Sequence, residues 1–186
     1  MGYHTFDPSR ADKLERAGHR FRFCSAEELR WALEVTADDT VADLGSGTGF
    51  YTDEVAPFVE AVYAVDVQPE MHEYYREKGV PEDVALVTSG IGSMPFDDGG
   101  LDAAFSTMTY HEFASTDALS EIRRVLRSGG RLVVVDWEAS GLGDSGPPLE
   151  ERYAANEIAS QLRTDGFDVE HVAVRSETVL LWATVP

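Results

Sequence analysis

A chain of 186 residues, 43% of them apolar, is long enough to bury the core of one domain. Its 34 acidic residues outnumber 15 basic ones and leave a formal net charge of −19, which argues against nucleic acid as a partner. The apolar runs are of strand length, the first residues are polar and Cys24 has no second cysteine to pair with, so a soluble cytoplasmic protein without a membrane segment is expected.

Along the chain the periodicity alternates between strand and helix, the pattern of an α/β fold with a mostly parallel sheet. Residues 8–17 form a charged, helix-prone lead-in. Ser25 and Glu28 have the spacing of a capping box before a helix that buries Leu29, Ala32 and Leu33. Residues 1–39 are read as a helical lead-in packed on the core, and 40–186 as the ligand-binding domain. A first strand over 41–44 runs into a glycine-rich loop and a short helix over 51–58, and a second strand over 61–65 stops at Asp66. The spacing predicts a helix over 69–78 with Met71, Tyr74, Tyr75 and Lys78 on one side, ended by Gly79. Strands follow at 84–88 and 101–107, then a helix lined by Leu119, Ile122, Val125 and Leu126 that Gly129 and Gly130 terminate, and a buried strand at 131–137. The glycine-, serine- and proline-rich stretch 139–148 predicts a mobile loop over the site, with a helix over 149–164 and two closing strands at 167–173 and 178–184.

The chemistry concentrates at the end of the first strand, Val41-Ala42-Asp43-Leu44-Gly45-Ser46-Gly47-Thr48-Gly49. Glycines lack a Cβ, so the backbone can turn through positive φ and bring bare N–H groups against a ligand, and the helix beyond adds unpaired donors. Asp66 closes the next strand about 20 residues past the first glycine, where a ribose-binding carboxylate belongs. Phe50 replaces the last glycine of a dinucleotide fingerprint, so one nucleoside with a short polar tail fits better than a pyrophosphate.

From residue 40 onward the chain resembles the class I S-adenosylmethionine-dependent methyltransferases, of the small-molecule, methyltransferase domain 11-like type. Asp43 to Gly49 matches the family's first motif and Asp66 its ribose-binding acid. The stretch Ser93-Met94-Pro95-Phe96-Asp97-Asp98-Gly99-Gly100-Leu101-Asp102 is similar to the loop before its fourth strand, and Glu121 to Leu132 to its following helix, turn and strand. The resemblance implies a doubly wound, Rossmann-like, seven-stranded sheet, mostly parallel, with an antiparallel C-terminal hairpin strand. It also implies S-adenosyl-L-methionine as cofactor and a small-molecule methyl acceptor, with no metal. Asp43, Gly45, Ser46, Gly47, Gly49, Asp66, Val67, Gly90, Ile91 and Thr107 are then the expected cofactor contacts. The family carries an Asp five residues before the proline, and Gly90 stands there, so adenine recognition falls to backbone groups of Gly90 and Ile91, with Val67 and Ile91 on the ring faces.

The segment Thr107 to Phe113 lies where the family places acceptor-facing residues. His111 is a candidate general base with Glu112 to orient it, and Tyr51 and Tyr110 are candidates for the acceptor pocket; capping and core packing are the competing roles. Scarce lysine (Lys13 and Lys78 alone) with heavy acidity resembles proteins of salt-loving organisms. Two other readings stay open at this point: a non-catalytic adenosyl-binding protein of the same fold, and an NAD-dependent oxidoreductase, against which Phe50 speaks.

Overall fold

The computed structural model describes residues 6–186. Seven apolar runs pair side by side: β1 (Thr40–Leu44), β2 (Ala61–Asp66), β3 (Val84–Thr88), β4 (Leu101–Thr107), β5 (Leu126–Trp137), β6 (Asp168–Val174) and β7 (Thr178–Thr184). Their order in the sheet is β3-β2-β1-β4-β5-β7-β6. β7 alone runs antiparallel to both of its neighbours, which leaves the other six strands parallel. The central strands are rich in valine, alanine and leucine and buried almost throughout, because helices cover both faces of the sheet.

Among the described residues seven α-helices accompany them: α1 (Ala17–Arg20), α2 (Ala26–Leu33), α3 (Phe50–Val55), α4 (Pro69–Lys78), α5 (Tyr110–Phe113), α6 (Thr116–Val125) and α7 (Ala155–Thr164). Two cores result. Leu29, Val55 and Tyr75 from α2, α3 and α4 fill one face of the sheet, and Ile122, Ile158 and Leu162 from α6 and α7 fill the other. Strand order reverses at β1, whose neighbours are β2 and β4, so the helices that follow β1 and β4 leave toward opposite faces and open a crevice at the strands' carboxyl ends.

Local differences from the sequence reading have physical reasons. Ser25 accepts the Glu28 N–H at 3.2 Å, but the Glu28 carboxylate turns to Arg175 at 2.6 Å instead of completing the box, since a guanidinium is the stronger partner. α6 ends at Val125, and Gly129 and Gly130 lie within β5 at an irregularity where pairing with β4 breaks after Leu126 and resumes at Arg131. The helix expected over 149–164 is split into a short 3₁₀ turn, Leu149–Glu151, and α7, because Arg152 turns inward and Tyr153 bridges to Glu138. The charged lead-in is a 3₁₀ helix, Pro8–Glu15, capped by the Asp7 carboxylate on Ser9 N–H.

Candidate active site

β1 delivers the glycine loop to the crevice, and the Val65 carbonyl ties it down by accepting Gly45 N–H at 2.8 Å and Ser46 N–H at 3.0 Å. Gly45 and Gly49 both sit at φ 78°, a left-handed conformation that costs other residues about 1–2 kcal/mol. Space excludes other residues as well: a Cβ at Gly45 would collide with the Thr109 side chain, and one at Gly49 with the Tyr75 ring.

Asp66 ends β2 beside this loop. One carboxylate oxygen accepts Gly47 N–H at 2.8 Å and the other accepts Gln68 N–H at 2.8 Å, so the side chain fixes two loops while remaining on the cleft wall. Burial pushes its carboxyl above the ordinary range, against the pull of those amides. Asp43 lies behind the loop, 1% exposed; Oδ2 accepts the Thr52 hydroxyl at 2.7 Å and Oδ1 has no partner. Burial, reinforced by the neighbouring carboxylates Asp66 and Asp53, raises Asp43 to about 7 despite the Thr52 bond and Arg20.

A cleft of about 170 Å³ opens over the loop. It brings together Gly45, Ser46, Gly47, Asp66, Val67, Gly90, Ile91, Thr107 and Glu112. Asp43 and Gly49 support the loop from behind. Gly90 is open, with nothing within 4 Å of the place a Cβ would take, and Val67 stays 51% exposed on the wall. Tyr51 and Tyr110 line neither this cleft nor the larger one beside it. The Tyr51 hydroxyl donates to the carbonyls of Cys24 (2.9 Å) and Arg20 (3.1 Å), and that of Tyr110 to Gln161 (2.8 Å), so both rings serve the core.

A second cleft of about 680 Å³ adjoins the first, and Met108 and Glu112 line both. His111 faces this larger space. Asp136, at the end of β5, orients it in place of Glu112, with carboxylate oxygens 3.0 and 3.1 Å from Nδ1 and a further bond from the His111 N–H at 2.6 Å. The reason is strand pairing: Thr107 lies beside Val135, which places Asp136 directly under α5. Burial works to lower the imidazole's pKa, but the Asp136 hydrogen bond and charge, with Glu112 and Glu151, leave it raised. Burial also raises Glu112, to about 7. Met108 between the clefts has φ 61°, a left-handed backbone that its N–H to Val135 carbonyl bond (2.7 Å) helps to hold.

The lead-in walls both clefts. Phe6, Leu14 and Arg20 line the two of them, the Phe6 carbonyl accepts the Gln68 side-chain amide at 3.0 Å, and Glu15 binds Thr48 and Lys78. Arg20 Nε is buried without a partner, its guanidinium 4.8 Å above the Tyr51 ring. The stretch over 139–148, expected to be mobile, is held by hydrogen bonds: Arg152 donates to the Pro147 and Ser145 carbonyls, and Glu177 accepts the N–H groups of Gly143 (3.3 Å) and Asp144 (3.1 Å). Arg20 and Asp136 escaped the sequence reading. Asp136 carries the same signal as Asp66, an acid ending an apolar strand, whereas nothing local to 16–22 announces that Arg20 turns inward.

Comparison with known proteins agrees with this architecture. Residues 42–134 match the family model described as a methyltransferase domain. A crystal structure of an S-adenosylmethionine-dependent methyltransferase from Aquifex aeolicus superposes with a TM-score of 0.89 at 30% identity, covering 98% of this chain and 100% of that one. An uncharacterized methyltransferase of Mycobacterium bovis is 33% identical over 138 residues, 68% of this chain and 55% of its own length. The demethylmenaquinone methyltransferase of Tropheryma whipplei is 33% identical over 106 residues, 56% of this chain and 44% of its own. The chain thus spans about half the length of the curated relatives it matches. With the strand order, the glycine loop and the acid closing β2, these matches make the chain a member of the class I S-adenosylmethionine-dependent methyltransferases.

Proposed function

We propose that the chain methylates a small molecule seated in the larger cleft. The observation that carries this reading is the junction of the two clefts at Met108 and Glu112: a cofactor against the glycine loop and Asp66 would present its reactive end toward His111. Bound there, S-adenosylmethionine supplies an electrophilic methyl group on a sulfonium with a good leaving group.

The residues present fit such a cofactor. Asp66 would accept the ribose hydroxyls while keeping its two backbone bonds. Val67 and Ile91 would flank the adenine, with open Gly90 leaving its edge to backbone groups. Arg20 Nε, a buried donor without a partner, would complement the carboxylate of the tail, and Asp43 Oδ1, a buried acceptor without a partner, lies behind the loop that the ammonium would approach. The protein's share of the chemistry is mostly alignment, and holding two reactants in line can supply on the order of 7–11 kcal/mol. His111 gives its Nδ1–H to Asp136, which leaves Nε2 as the lone-pair nitrogen able to take the acceptor's proton. Its raised pKa means that this nitrogen is free above, rather than below, the ordinary imidazole range.

Incubation with methyl-labelled S-adenosylmethionine and a panel of phenols, amines, thiols and carboxylates, beside bulk RNA and protein, tests the reading. Label in the small-molecule fraction is expected. Label confined to macromolecules refutes the acceptor class, and tight cofactor binding without transfer to anything favours a non-catalytic binder.

A further inference from the structure

The larger cleft carries a charge pattern opposite to that of the molecule. Acids outnumber bases 34 to 15 over the chain, yet arginines and lysines outnumber acids on the lining of this cleft. The cause is local geometry. In a 3₁₀ helix three residues complete a turn, so side chains three apart stack in a column. Arg10 and Lys13 hold that spacing along Pro8–Glu15, Arg16 caps its end and His19 continues beyond, and all four line the cleft.

These charges are available. Neither Arg10 nor Lys13 takes part in an ion pair among the described residues; Arg10 rests over the Phe6 ring at 5.8 Å. Arg16 meets Asp12 at 3.5 Å with both side chains more than 60% exposed, a pairing that water and salt weaken. The acids on the same cleft number three against four arginines and lysines, Arg20 included: Asp7 caps the 3₁₀ helix, Glu112 lies at the junction with the first cleft, and Glu151 is the third. At physiological salt the screening length is about 8 Å, so an occupant of the cleft senses this column far more than the distant acidic surface.

We infer that the methyl acceptor carries an oxyanion group, a carboxylate or phosphate, that seats against Arg10, Lys13 and Arg16 while its reacting atom faces His111. This deepens the methyltransferase reading and rests on it. The column stands clear of the cofactor contacts proposed above, so the two can be tested apart.

The test is calorimetric titration of the protein saturated with S-adenosylhomocysteine, at about 0.15 M salt, with four probes sharing one ring: benzoate, phenyl phosphate, benzylamine and benzyl alcohol. Both anions, or whichever matches the true oxyanion, should bind at least roughly tenfold tighter than benzylamine and weaken as salt is raised. The combined variant Arg10→Gln, Lys13→Gln, Arg16→Gln, whose changes all fall on exposed positions, should lose that preference while its affinity for S-adenosylhomocysteine stays within about twofold. Benzylamine binding as tightly as the anions, no detectable anion binding, or a preference that survives in the variant would each overturn the inference. Failure of S-adenosylhomocysteine itself to bind would instead remove the reading beneath it.

Discussion

Replacing Asp66 with asparagine probes the proposed cofactor cleft most directly. The aspartate uses both oxygens on backbone donors at 2.8 Å, Gly47 N–H on one and Gln68 N–H on the other, and lines the cleft as well. Asparagine keeps one acceptor oxygen but must aim its amide NH₂ at one of those N–H groups or at the ligand. Hydrogen bonds to a charged acceptor contribute about 1.5–3 kcal/mol, so loss of one corresponds to a roughly ten- to hundredfold weaker dissociation constant for S-adenosylhomocysteine. The fold itself should suffer less, because burial already penalises the charge on this carboxyl and the neutral amide escapes that penalty. Calorimetric titration of parent and Asp66→Asn, with thermal melts of both in the absence of ligand, separates the two effects. Affinity within threefold of the parent's, at an unchanged Tm, would show that the ribose is held elsewhere and the site assignment is wrong.

Asp43→Asn should have opposite effects on stability and binding. Burial raises the folded-state pKa to about 7 from an unfolded value near 3.8, so this group's stabilising contribution is present at low pH and is lost as pH rises from about 4 to about 7. At pH 8 the variant should therefore melt higher than the parent, by on the order of a few kcal/mol in stability. It should bind S-adenosylhomocysteine less well and methylthioadenosine, which has no ammonium, equally well; equal losses for both ligands would exclude a role at the tail. Asp136→Asn removes the carboxylate that raises His111, so the rising limb of log kcat against pH should move to lower pH while cofactor affinity holds; an unmoved limb would remove His111 as the base. Arg152→Met deletes the buried cation that holds the Pro147 and Ser145 carbonyls and pairs with Glu177 at 3.0 Å. Loss of such a partner should lower Tm by roughly 6–20 °C, read by calorimetry, and an unchanged melt would mean the loop is held by other contacts.

The surroundings of the glycine loop are legible in the sequence because their signals are local. Each strand, its closing acid and the glycine spacing occupy one short stretch, and backbone requirements such as the φ of 78° at Gly45 and Gly49 restrict sequence directly. The larger cleft depends on what the fold brings together. Glu112 is next to His111 in sequence, which makes it the local candidate for the orienting acid, yet adjacent residues on a helix diverge and the pairing of Thr107 with Val135 supplies Asp136 instead. Tyr51 and Tyr110 were ambiguous for a similar reason, since an amphipathic ring beside a cleft has the same local sequence whether it points inward or outward. The stretch over 139–148 has the composition of an unrestrained loop, but its restraints come from Arg152 and Glu177, the latter more than 25 residues away from any glycine it holds.

The lead-in has a kinetic consequence. Because Phe6, Leu14 and Arg20 line both clefts, a ligand seated in either one would meet the same stretch of chain. Its far end is moored by Lys78, one of two lysines in the protein, which holds Glu15 at 3.2 Å and Asp53 at 2.8 Å near the surface. Dissolved ions loosen that mooring more than they loosen the buried sheet, so ligand exchange should quicken with ionic strength before the fold itself responds.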